Sequence, residues 1–377
     1  MPRLPQPRPG ETLFVKGRPL TFSYFPVRRQ NRRYGLNDVV FAMDPWTVIE
    51  GAVNDQVAAP NRDEALAFIA QARAFFDAAS ARTPASPLLA YYAFLNLGKA
   101  LIRCRGFSGS LDRAKHGLSD GQTVPAADLT SGTVTIWDNP GQVNVFAEVI
   151  DHLGHPRPTH STVVPVPELA AQVVVGHRLW REASNRSERF IAIERIEFVD
   201  DPTAKQLWLR LWLRRGDLSR YNVTRKRLIN EGSLTGNFVE VDPKPLTNDS
   251  DLVCLEQTAP MPYSGRATDI AMNIVEPSRQ WLWRIISASA DGGYRRYYLH
   301  LTPPTETNRQ PQIAAIWMLI FFFGSVVRYR PQAFASMTRG RFGAWINDFV
   351  AAQPEQLLFM LASEFARREV ARPAIVS

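Results

Sequence analysis

Pro87-Leu88-Leu89-Ala90-Tyr91-Tyr92-Ala93-Phe94-Leu95-Asn96-Leu97-Gly98-Lys99-Ala100-Leu101-Ile102-Arg103 is the stretch whose reading decides the fold. Leu88, Leu89, Tyr91, Leu95 and Ile102 supply apolar surface. Tyr92, Asn96, Lys99 and Arg103 follow at i, i+4, i+7 and i+11, which puts all four on one helical face. Ser86 and Pro87 suit a helix start and Gly106 a stop, so a helix is predicted over 87–105. The polar face is either a solvent face or a seam inside a bundle. Gly98 in mid-helix costs about 1 kcal/mol against Ala, which points to close approach by another helix.

Working outward, Asn61, Asp63 and Glu64 mark the start of an earlier helix, with Ala65, Phe68, Ile69, Ala72, Phe75 and Phe76 at helical spacing. A short link joins it to the next, so an antiparallel hairpin is expected. Residues 1–60 read as extended, with short strands about a turn at Lys16-Gly17 and four arginines between Arg28 and Arg33. Over 131–304 the pattern is β-rich. Strands are expected at 132–137, 143–149, 189–199, 206–214, 252–256, 281–287 and 294–301, with a Gly292-Gly293 turn between the last two. Helices are expected at 167–180 and 219–231. Beyond 305 the chain turns helical again, at 312–329, 341–352 and 354–368. The fold class is therefore α+β: N-terminal (61–130) and C-terminal (305–377) helices in one bundle, a β-rich middle (131–304), and an extended N-terminal segment (1–60).

The chain has 377 residues, 45% of them hydrophobic and 21% charged, which excludes disordered and fibrous classes. Net charge is +8, and only six of the 44 basic side chains are Lys. GC-rich coding accounts for much of that bias; selection for guanidinium–phosphate pairing is the functional alternative. Cys104 and Cys254 form neither a zinc pattern nor a disulfide framework. No apolar leader is read in residues 1–10, and the run 313–327 is short for a span, so a cytoplasmic chain without membrane contact is expected.

Chemistry-bearing residues are sparse. Arg113, Lys115 and His116 lie in a Gly/Ser-rich loop and suit phosphate binding, with His116 also suited to acid–base work. Arg214, Arg215, Arg220, Arg225, Lys226 and Arg227 form the densest basic run, with Tyr221 interleaved, as a nucleic-acid backbone favours; Arg214, Arg215, Arg225, Lys226 and Arg227 are the candidates for phosphate contact. Arg328 and Arg330 end the apolar helix, where they cap it, pair with acids or meet an anion. His152, His155 and His160 are close in sequence, but Pro156 and Pro158 indicate an exposed loop, and no metal site is assigned. No P-loop occurs, and no cofactor is expected.

The segments 88–94, 99–102, 115–118 and Phe322-Phe323-Gly324-Ser325-Val326-Val327-Arg328-Tyr329-Arg330-Pro331 together resemble the YaaC-like family. The first helices also resemble the hairpin of HEPN domains, which recur in ribonuclease toxins and anti-phage systems. The HEPN pattern of Arg followed by His after four to six residues is missing from any predicted helix. Arg113 and His116 are too close, and Arg295 and His300 have the spacing but read as a strand. The resemblance implies a component of a bacterial defence or stress-response system. It would act in a complex with partner proteins or as an oligomer of itself, and bind DNA or RNA. The alternatives are a HEPN-like ribonuclease with a remodelled site, using His116 with Arg113 or Arg328, and a non-catalytic scaffold with the Trp-rich 189–214 hairpin as its interface. The resemblance also implies that Arg328 and the Lys115-His116 loop share one cleft if the terminal helices pack together.

Overall fold

The computed structural model describes residues 3–26, 39–121, 129–139, 141–230, 234, 236–288, 297–303, 305, 306 and 308–373. The Arg28–Arg33 arm, the Gly292-Gly293 turn and Arg295 lie outside them. The fold is α+β, and the chain divides into two compact units: residues 41–186 with 308–372, and residues 1–40 with 187–307 and 373–377.

In the helical unit, Asn61–Ser80 and Ser86–Cys104 pack as a hairpin. Gln312–Tyr329 packs against the 86–104 helix, so the helices from the two ends of the chain share one core. Gly98 is the contact point. A Cβ there would lie 2.4 Å from the Trp317 ring and 3.2 Å from Val145. The Gln312–Tyr329 helix is long and apolar enough to span a membrane, but 72% of it is buried inside the protein. The polar face of the 86–104 helix is a seam beneath its hairpin partner, not a solvent face. Tyr92 packs on Phe75 with ring centroids 5.6 Å apart, Lys99 sits 5.3 Å over the Phe68 ring, and Arg103 pairs with Glu64 at 2.7 Å. The unit also takes in residues 41–60 and 131–186.

Four expectations are corrected here. Residues 1–60 are not all extended, since Pro45–Gln56 is a helix capped by Asp44. The 143–149 strand is a helix, Val145–His152. Its short apolar run fits either period, and burying Val145, Phe146, Val149 and Ile150 decides for the helix. The 167–180 helix is two, Val166–Ala171 and His177–Ser184, parted by Gly176 at φ +79°. The two C-terminal helices are one, Gly343–Ala366, running through Pro354. Burial of Phe349, Gln353, Leu357 and Leu358 on either side offsets the ~3 kcal/mol cost of an interior proline.

In the β-rich unit an antiparallel sheet has the order Glu11–Thr12, Arg195–Asp201, Gln206–Arg214, Leu252–Gln257, Phe238–Val241. Leu207, Leu209, Leu211 and Leu213 face one core with Phe198, Val253 and Leu255. On the other face Trp208 and Trp212 are each only 1% exposed. Arg8 covers Trp208 and pairs with Glu256, which also holds Arg210 at 2.9 Å. Arg195 stacks on Trp212, whose indole donates to Glu197. Both indoles are thus buried within their own unit rather than displayed on its surface. A second sheet pairs Leu282–Arg284, Tyr297–His300 and Phe190–Ala192. His300 is buried on a strand, as its alternation predicts, and not on a helix.

Candidate functional site

The site lies in the helical unit, where Tyr91 and Tyr92, the His116 loop and the end of the 312–329 helix meet. The loop is strapped in place by backbone bonds. Lys115 N–H donates to Val143 O at 2.8 Å, Val145 N–H to Lys115 O at 2.8 Å, and Phe146 N–H to His116 O at 3.2 Å. Gly117 is required after His116: its φ is +84°, and a Cβ would lie 3.0 Å from Asn144.

The His116 ring packs against Tyr91 and Phe321, with centroids 6.2 and 5.5 Å away, and keeps an exposed edge. Leu118 N–H donates to Nδ1 at 3.2 Å, so the neutral ring carries its proton on Nε2. Partial burial, then the nearby Lys115 and Arg328 charges, hold its pKa below the ordinary imidazole value. His116 is therefore neutral at pH 7 and presents an N–H donor outward. Arg328 donates to the Tyr92 hydroxyl at 2.9 Å and lies 4.9 Å over the Tyr329 ring, itself 64% exposed. Beneath them Tyr91 is 6% exposed, and its buried hydroxyl has no hydrogen-bond partner among the described residues. Burial, reinforced by Tyr92 and opposed by Arg328, raises its pKa, so it stays protonated. Arg330 pairs with Asp120 at 2.8 Å, and Asp120 also accepts from Ser325. Arg330 is thus part of the site's frame and is not a free cation.

The other sequence candidates fall elsewhere. Arg113 is exposed and forms no ion pair or hydrogen bond among the described residues. In the β-rich unit Arg214 is held by Glu194 and Asp249, Arg225 by Glu240, and Arg227 donates to Glu188 O. Arg215, Arg220 and Lys226 of that run are exposed without an ion-pair partner among the described residues. Glu148, Asp151 and His152 cluster, but Arg157 bonds both carboxylates, which cancels the charge a cation would use. Burial pushes the Cys104 and Cys254 thiols up to about 12, leaving neither reactive near neutral pH. Sequence reasoning took Tyr91 as apolar surface and missed its hydroxyl. The Tyr-Tyr pair next to the polar face was the available signal.

This arrangement gathers aromatic faces, one guanidinium, a neutral imidazole N–H and an ammonium, all donors or π-faces without a free carboxylate. Chemically, such a set of donors is suited to an anion. The family model described as YaaC-like Protein matches residues 30–365, and the chain belongs to that family. No curated protein and no solved structure matches the chain.

Proposed function

We propose that this YaaC-like chain binds single-stranded nucleic acid at the corner formed by Tyr92, His116, Arg328 and Tyr329. It would do so as a component of a bacterial defence or stress-response complex, in the cytoplasm, with partner proteins or further copies of itself. The observation that carries the binding reading is the convergence of His116, Tyr92 and Arg328 over the partnerless Tyr91 hydroxyl. Arg328 and Lys115 suit phosphates, and an exposed Tyr329 with a cation on its face suits an unstacked base. RNA and DNA share this chemistry. The assembly reading rests on the resemblance seen in the sequence.

Fluorescence anisotropy with labelled single-stranded RNA and DNA tests this. Affinity is expected to fall steeply between 50 and 200 mM salt, roughly tenfold or more for two or more phosphate contacts, and to drop again in Arg328→Ala. Affinity absent at low salt, or unchanged in Arg328→Ala, rejects the reading.

A ribonuclease role is the second reading, favoured by the lowered pKa of His116 beside Arg328. Because Nδ1 accepts from Leu118, the outward Nε2–H is a donor. Proton abstraction would need the ring to switch tautomer, so binding ranks first. RNA cleavage that persists unchanged in His116→Ala eliminates this second reading.

A further inference from the structure

A separate groove opens on the helical unit, with about 620 Å³ of room, the size of a small-molecule site. Its walls are apolar and aromatic. Phe323 lies between Phe334 and Phe349, with ring centroids 6.2 and 5.5 Å away, and Phe76 closes the side formed by the first hairpin. Polar groups gather at one end, the turn that opens the 86–104 helix. Ser86 lines the groove and is 6% exposed, and its buried hydroxyl has no hydrogen-bond partner among the described residues. A buried hydroxyl in that state costs about 1–3 kcal/mol, so a groove that supplies its partner from a ligand recovers that cost. Arg82, held at φ +52° in the same turn, also lines the groove and has no carboxylate partner among the described residues. The acid lining the groove, Glu355, is held by Arg372 at 2.6 and 2.8 Å. The positive end of the 86–104 helix dipole adds to the same field.

We propose that this groove binds a small amphipathic carboxylate, its apolar body against Phe323, Phe334 and Phe349 and its head group against Arg82 and the Ser86 hydroxyl. The proposal is independent of the nucleic-acid corner.

The probes are 1-anilinonaphthalene-8-sulfonate as fluorescent reporter, with decanoate and 1-decanol as competitors of equal chain length. Decanoate is expected to displace the reporter at a concentration about tenfold below that of decanol. In Arg82→Ala that preference collapses, while the decanol curve stays in place. Arg82 is exposed, so the variant keeps its fold. Ala335→Phe, at an exposed lining position, fills the groove and lowers reporter binding severalfold, with circular dichroism reporting an intact fold. Absent reporter binding, equal displacement by both competitors, or binding unchanged in the filled variant would each overturn the proposal.

Discussion

Tyr91 carries the cost of a buried hydroxyl without a hydrogen-bond partner among the described residues. Tyr91→Phe is therefore expected to stabilise the chain by about 1 kcal/mol in urea unfolding. The same change is expected to weaken RNA binding, the trade-off that functional residues show. A loss of stability would mean the hydroxyl is satisfied. Gly98 is the opposite case. With Trp317 2.4 Å from a would-be Cβ, Gly98→Val forces the two helices apart at a cost of at least about 2 kcal/mol, read in the same unfolding assay. His116 sets a pH dependence whose sign follows from its lowered pKa. Between that pKa and the unfolded value near 6.5, the unfolded chain binds the proton and the folded chain does not. Stability from this group is full above the unfolded value and is lost as pH falls through the window. His116→Gln is therefore expected to narrow the drop in melting temperature between pH 7.5 and pH 5; an unchanged drop would contradict the assignment.

At the scale of elements, the first hairpin is tied by a buried cation. Arg103 is 6% exposed, pairs with Glu64 on the preceding helix, and donates to Phe107 O and Gly109 O in the following loop. Arg103→Leu removes all of these, and a loss of about 2–4 kcal/mol in urea unfolding is expected. The long helices were legible because period and caps agreed: Ser86–Cys104 and Gln312–Tyr329 lie within a residue or so of their predicted bounds, and Asn61–Ser80 starts where expected. Val145–His152 was not legible, since a short apolar run carries no period of its own. Pro354 was misleading because local propensity says stop while apolar packing on both sides says continue. The seam residues Tyr92, Asn96, Lys99 and Arg103 were correctly placed on one face, but which surface covers that face is a tertiary fact.

For the whole molecule, ion pairs hold several individual arginines, while the net charge of +8 remains as the excess of cations over carboxylates. Arg8, Arg103, Arg210, Arg214, Arg225 and Arg330 are each held by a carboxylate. Among the exposed cations, two pairs are set against each other as sites for an anionic partner: Lys115 with Arg328 in the helical unit, and Arg215 with Lys226 in the β-rich unit. The sequence pointed to the second because its basic residues are dense in the chain. Density along a chain does not register the acids that strand pairing brings alongside. The first pair is far apart in the chain; the resemblance implied that it shares a cleft, and packing of the terminal helices is what brings Arg328 to the His116 loop. The most direct measurement compares the RNA affinity of two double variants by anisotropy at low salt. Lys115→Gln/Arg328→Gln is expected to lose about tenfold or more and to flatten the salt dependence, while Arg215→Gln/Lys226→Gln stays close to the parent. Loss confined to the 215/226 variant would contradict the account and move the nucleic-acid surface to the β-rich unit.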